Sequence, residues 1–153
     1  MVRYFAYGSN LMAERMRERG AEFLSARPAI LRDHRLGFDK AARDGTGRAN
    51  VTRVLGGQVY GVLYELTLDG LETLRLFESG YDLVDVLVEC SRLDGGVEVL
   101  SAKTFMARAD RRTELPPARS YVSTILEGMR QHDLPAPAKD EVEKALGKKK
   151  PGE

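Results

Sequence analysis

The stretch QVYGVLYELTL, Gln58 to Leu68, decides how the rest of the chain is read. Tyr60, Val62, Tyr64, Leu66 and Leu68 fall on one side of an extended backbone, and Val59, Gly61 and Leu63 on the other. Successive side chains of a strand point to opposite faces. Both faces carry apolar residues, so the segment reads as a strand inside a sheet rather than at its edge.

Downstream, Asp69 followed three residues later by Glu72 has the form of a capping box, which opens a short helix "GLETLRLFE" that stops near Gly80. Val84, Val86, Val88 and Cys90 then alternate with Asp85, Leu87 and Glu89, the pattern of a half-buried strand. The turn Asp94-Gly95-Gly96 leads into a strand from Val97 to Ala107, so the two strands read as a hairpin. Pro116-Pro117 ends the extended region. A helix with Tyr121, Ile125 and Met129 on one stripe follows, and "LPAP" separates it from a weakly amphipathic helix over 139–146.

Upstream, residues 27–39 and 48–54 read as extended on either side of the turn-rich "ARDGTG". Residues 2–6 form a first strand that stops at Gly8. Asn10 is placed as the N-cap of a helix running through Leu11, Met12, Arg15 and Met16 to Gly20. Six or so strands with a few short helices make an α+β domain, expected to be a small mixed, partly closed β-barrel with packed helices. A single domain over 1–147 is expected, followed by a basic tail, 148–153, expected to be disordered.

Composition narrows the function. The chain of 153 residues is about one domain long, with 42% apolar and 31% charged residues and a net charge of +1, so it lacks the basic excess of a nucleic-acid binder. The single cysteine, Cys90, has no intramolecular partner, no Cys/His cluster has zinc spacing, and no apolar run approaches the roughly 18 residues of a membrane span. A cytoplasmic protein without nucleic-acid or membrane partners is expected.

Two features carry chemistry. At Gly8 and Ser9 a strand meets a helix, where free N–H groups and the positive end of the helix dipole converge. Such a corner holds a carboxylate, a phosphate or a developing oxyanion, or it is a capped turn with no ligand. Glu78 follows Leu71 by seven residues and Leu74 by four, which places it on the apolar side, or at the end, of the short helix. Desolvated there it would be a better proton acceptor; turned to solvent at a fraying helix end it would be an ordinary surface acid. His34 and His132 stand alone and read as structural, and Cys90 reads as a buried, inert thiol. Tyr121 is the tyrosine expected to face a cleft. Arg43, Arg48, Arg108, Arg111 and Arg112 lie in the loops at 40–50 and 107–119, where they either contact a substrate carboxylate or only solubilise the rim.

"FAYGSNL" at 5–11, "VYGVLYEL" at 59–66, the acid in "LETLRLFESGY" and the late "PPARSYVSTILEGMRQHDLP" together resemble the γ-glutamylcyclotransferase and AIG2-like family. The resemblance implies cyclisation of a γ-glutamyl group to 5-oxoproline with release of the attached amine. It also implies that Tyr7, Gly8, Ser9 and Asn10 form a substrate-binding loop, that Glu78 is the catalytic acid/base, and that Tyr121 matches a late substrate-binding tyrosine. No cofactor or metal is implied, because the substrate carries its own nucleophile. A homodimer is compatible with the resemblance, although no sequence stripe points to one. The chain departs from the family pattern where Ser79 separates the acid from Gly80, and where the late motif lacks a serine after proline. The other readings are a non-catalytic binder of an anionic metabolite and an accessory enzyme that removes a γ-glutamyl protecting group.

Overall fold

The computed structural model describes residues 1–147; the expected basic tail at 148–153 lies outside the described residues. The chain forms β1 (Val2–Ala6), a single 3-10 turn (Ser9–Leu11), α1 (Ala13–Glu18), β2 (Phe23–Ala41), β3 (Gly47–Leu66) and α2 (Leu68–Arg75). It continues through β4 (Tyr81–Ser91), β5 (Val97–Ala107), α3 (Arg119–Gln131) and α4 (Ala136–Leu146). The strands follow one another around a barrel in the order β1–β3–β2–β4–β5. The β1–β3–β2 sheet and the β4–β5 hairpin are antiparallel, whereas the two seams joining them rest on Ile30↔Glu89 and on the parallel pair Tyr4↔Lys103. The small mixed barrel with packed helices is therefore as expected, thinly stitched at two seams.

Residues 58–66 do lie centrally, since β3 pairs with β1 on one side and β2 on the other, but the strand ends at Leu66 and Leu68 opens α2 instead. It is not a separate strand, however: β3 is continuous from Gly47 to Leu66, which reduces the expected six or so strands to five. The Gly56-Gly57 pair, in the gap between the stretches expected at 48–54 and 58–68, serves as a bulge. Gly56 adopts φ 84°, Asp33 opposite it adopts φ 57°, and the ladder shifts register between Arg32 and His34. The Gly56 N–H donates to Asp33 Oδ1 at 2.9 Å, so the irregularity keeps its hydrogen bonding.

Three further expectations are corrected. α1 begins at Ala13 with Met12 at its N-cap and no side-chain cap, because the Asn10 amide is used in the interior instead. α2 is capped by Thr67, whose Oγ1 accepts from the Gly70 N–H at 3.0 Å, so Asp69 lies inside the first turn and makes no capping box. Thr67→Ala is expected to cost about 1 kcal/mol, measurable as a lower urea midpoint with an unchanged slope. α4 starts three residues before the expected 139, with Pro137 in its first turn, where a missing N–H costs nothing.

Both faces of the sheet are buried, with Phe5, Leu31, Val51, Val59, Val62, Tyr64 and Leu66 fully enclosed, and the helices add Leu71, Leu74 and Ile125. α3 packs on the Ser9–Leu11 turn, and the contact needs Gly128, where a Cβ would stand 2.6 Å from Leu11 Cβ. The Leu11 carbonyl accepts the Tyr64 hydroxyl at 2.9 Å and lies 2.9 Å from His132 Nε2. His132 thus clamps the turn, and His34 Nδ1 lies 2.8 Å from the Arg32 carbonyl, structural placements in both cases.

Candidate functional site

β1 leaves the barrel through Tyr7 and Gly8 into the 3-10 turn. Within it, the Leu11 N–H donates to the Gly8 carbonyl at 3.0 Å and the Met12 N–H to the Ser9 carbonyl at 3.2 Å. The amides of Ser9 and Asn10 precede the turn's first donor, as the leading amides of any helical turn do. A Cβ on Gly8 would stand 3.2 Å from both Ala49 Cβ and the Tyr121 hydroxyl, so glycine permits the close approach of three segments. The Tyr121 hydroxyl accepts from the Ala49 N–H at 2.9 Å, and the Tyr81 hydroxyl donates to the Ala49 carbonyl at 2.6 Å.

Glu78 is not on α2, which ends at Arg75; the helical-face reading is corrected to a turn. Its N–H donates to the Arg75 carbonyl at 3.1 Å and its carbonyl accepts from the Tyr81 N–H at 3.2 Å. Gly80 at φ 87° completes the reversal, so the residue Ser79 that lengthens the turn still leaves the acid facing inward. The Glu78 side chain is 15% exposed. Its Oε1 accepts from Asn10 Nδ2 at 3.0 Å and from Arg19 Nη1 at 3.2 Å, while Oε2 has no hydrogen bond among the described residues. Burial raises the Glu78 carboxyl above the usual carboxylate value, against the lowering influence of Arg19, Asn10 and Lys40.

One pocket is lined by Tyr4, Tyr7, Gly8, Ser9, Asn10, Ala49, Glu78, Tyr81, Phe105 and Tyr121. The loop arginines Arg43, Arg48, Arg108, Arg111 and Arg112 do not line it, whereas it brings together Tyr7, Gly8, Ser9, Asn10, Glu78 and Tyr121. Opposite faces for Glu78 and the Gly8–Ser9 corner would have separated them. Burial pushes the hydroxyls of Tyr4, Tyr7 and Tyr81 well above the ordinary phenol range and that of Tyr121 up to about 12, so all four stay protonated and act as neutral donors or acceptors. The Tyr4 hydroxyl accepts from Asn10 Nδ2 at 2.9 Å and the Tyr7 hydroxyl donates to the Phe105 carbonyl. Arg19 also donates to Asn10 Oδ1 at 3.0 Å, so Asn10, Arg19 and Glu78 form one closed network.

Sequence reading missed Tyr4, Ala49, Tyr81 and Phe105 in the lining and Arg19 behind it. The alternation of β1 puts Tyr4 on the face of Ala6, but nothing in the sequence says which face of a barrel strand meets a pocket. Cys90 is buried with its thiol pushed up by burial, as expected of an inert core sulfur. Among the described residues no group of acidic, histidine or cysteine side chains could hold a metal ion, and no helix is long and apolar enough to cross a membrane.

The model of the family described as "Gamma-glutamyl cyclotransferase, AIG2-like" matches residues 4–123. The chain belongs to this family. The matched span runs from β1 into α3 and so includes every residue of the pocket. The chain is 28% identical over 140 residues to the Mus musculus γ-glutamylcyclotransferase, with 86% of this chain and 72% of the mouse protein covered. The Homo sapiens γ-glutamylcyclotransferase is 27% identical over 138 residues, with the same shares covered. A solved γ-glutamyl cyclotransferase superposes with a TM-score of 0.77 at 25% identity, over 93% of this chain and 86% of that one. YkqA from Bacillus subtilis, at 24% identity, shares the fold with a TM-score of 0.82 over 99% of this chain and 56% of its own.

Proposed function

We propose that the chain is a γ-glutamyl cyclotransferase: it converts a γ-glutamyl amine or γ-glutamyl amino acid to 5-oxoproline and frees the amine. The observation that carries this reading is the buried Glu78 carboxylate, whose Oε2 has no hydrogen bond among the described residues, in one pocket with Gly8 and Ser9.

The chemistry needs little else. The substrate's α-ammonium gives a proton to Glu78 Oε2, and the resulting amine attacks the γ-carbonyl carbon. A C–N bond forms, the carbonyl oxygen becomes an oxyanion, and the ring closes. The bond to the leaving amine then breaks as Glu78 returns the proton to its nitrogen, and the second proton of the ring nitrogen passes through Glu78 to the released amine, which departs as an ammonium. Because the attack is intramolecular, a pocket that holds the bent conformer supplies much of the acceleration. The amides of the Gly8–Asn10 turn supply donors for negative charge, of the oxyanion or of a substrate carboxylate. Asn10 and Arg19 fix the carboxylate's orientation, and the Tyr4 hydroxyl in turn accepts from the Asn10 amide.

The test is release of 5-oxoproline and free amine from a panel of γ-glutamyl amino acids and amines. Turnover of at least one member is expected. A panel that gives none, with Tm raised by the same compounds, would instead establish a non-catalytic binder. Arg19 tunes the base, since its charge opposes the effect of burial on Glu78. Glu78 must be deprotonated to start the reaction, so Arg19→Leu is expected to move the acid limb of the kcat/KM–pH profile to higher pH. A limb that stays in place would show that Arg19 only packs beneath the site, where it lies over the Phe77 ring at 5.1 Å.

A further inference from the structure

Beside the pocket stands a buried charge with no ion-pair partner among the described residues, offset only from a distance by Glu78. Lys40, near the end of β2, is only 9% exposed, yet no carboxylate lies within ion-pair distance of it among the described residues. Its ammonium lies 5.2 Å from the centroid of the Tyr81 ring, and Tyr81 lines the pocket. Its neighbours make matters worse. Arg48 is its direct partner across the β2–β3 ladder, and like charges in that position repel. Arg112 pairs with it on the other side, although Arg112 is itself neutralised by Asp39 at 3.0 Å. Arg111, from the short 3-10 turn Ala109–Arg111, comes close at Gly80, where a Cβ would meet Lys40 at 2.7 Å and Arg111 at 3.3 Å. Arg48 lies over the Tyr121 ring at 4.7 Å, and its Nε is buried without an acceptor.

A buried cation is costly unless paired, and a buried donor without an acceptor costs about 1–3 kcal/mol. Two such groups face each other across one ladder rung at the margin of one pocket. Burial and the surrounding arginines lower the Lys40 ammonium below its usual value, against the opposite influence of the Glu78 carboxylate. An anion placed between Lys40 and Arg48 would relieve all of these at once.

We propose that Lys40, with Arg48 opposite it, is the receptor for a carboxylate of the substrate. This assignment rests on the cyclotransferase reading of the pocket, whose substrates offer that group from two sources. One is the α-carboxylate of the γ-glutamyl moiety; the other is a carboxylate on the leaving amine. In either case Lys40 sets which γ-glutamyl compounds are held and does not take part in proton transfer.

The test compares wild type with Lys40→Met, using γ-glutamyl-alanine and γ-glutamyl-ethylamide on the pH plateau. A lost charge-assisted bond is expected to raise KM about tenfold or more, with kcat little changed. Tm is expected to stay level or rise, because an unpaired buried charge has been removed. A KM increase confined to γ-glutamyl-alanine assigns the carboxylate to the leaving amine, and an increase for both assigns it to the γ-glutamyl group. An unchanged KM for both, or a fall in Tm with kcat falling alongside, overturns the proposal.

Calorimetry separates this failure from that of the cyclotransferase reading. If wild type turns over neither substrate, L-5-oxoproline should still bind about tenfold more tightly than 5-oxoprolinamide, with the difference lost in Lys40→Met. Equal affinities for acid and amide exclude the γ-glutamyl carboxylate as the group held, and the receptor role is overturned if γ-glutamyl-alanine then also binds no more tightly than γ-glutamyl-ethylamide.

Discussion

Replacing Glu78 by glutamine is expected to lower the release of 5-oxoproline by roughly 100- to 10,000-fold, the range in which a positioned acid/base contributes. The upper part of that range is expected because one carboxylate serves both proton transfers. The substitution leaves the site standing. The glutamine Oε1 can still accept from Asn10 and Arg19, which occupy only Oε1 of the acid. The amide that replaces Oε2 has no basic lone pair, and this is the atom to which the proton transfers are assigned.

Stability separates this outcome from simple damage. Folding raises the Glu78 carboxyl, so the native state favours its protonated form, and that contribution is lost as pH rises through the folded value. A neutral isostere therefore removes a charge that burial opposes, and Tm should not fall. Binding of 5-oxoproline should also survive. Turnover equal to wild type would remove Glu78 from the mechanism, whereas loss of turnover together with loss of fold would leave its role to the pH profile. That profile should show an acid limb displaced upward from the usual carboxylate value.

The local rules worked where one segment contains its own signal. The alternation in β4 and β5, the Asp94-Gly95-Gly96 turn and the stripe on α3 are each legible because strand and helix periodicities need no partner. They misled where a residue type has two uses. Gly56-Gly57 lies between two stretches expected as separate strands but is a bulge within a continuous β3, and Asn10 looks like a cap but donates to Tyr4 and Glu78. In both cases the partner lies on another element, and single-sequence spacing carries no record of it. Glu78 shows the same limit in its most consequential form. Helical spacing put it on the right side for the wrong reason, because the helix ends at Arg75 and a turn through Gly80 aims the acid. Lys40 gives no sequence signal at all. Its isolation becomes visible only when the β2–β3 register sets it opposite Arg48.

The glycine inside QVYGVLYELTL shows how tightly barrel and site are joined, and Gly61→Ala is expected to be the most destabilising small substitution among those argued for this fold. Gly61 lies in the second half of β3, paired with Ala29 of β2, while its neighbour Val62 pairs with Ala6 of β1. A Cβ there would stand 2.3 Å from the Ala6 carbonyl oxygen and 2.6 Å and 2.7 Å from two ring carbons of the fully buried Phe5. The oxygen is backbone within a strand pair, and the ring has no free volume to rotate into, so neither yields cheaply. Overpacking of this kind costs about 3 kcal/mol, which corresponds to a Tm lowered by roughly 6–12 °C in a chain of this size. Gly37→Ala in β2 is the control, because its nearest contact would be an ordinary 3.5 Å to Asp39 and its Tm should change little. The damage should also reach the pocket, since β1 is the strand that delivers Tyr7 and Gly8. To make room, Gly61→Ala must displace β1, and a raised KM for γ-glutamyl substrates is expected even below its lowered Tm. If the two alanine variants melt together, close approach is not what keeps glycine at this position.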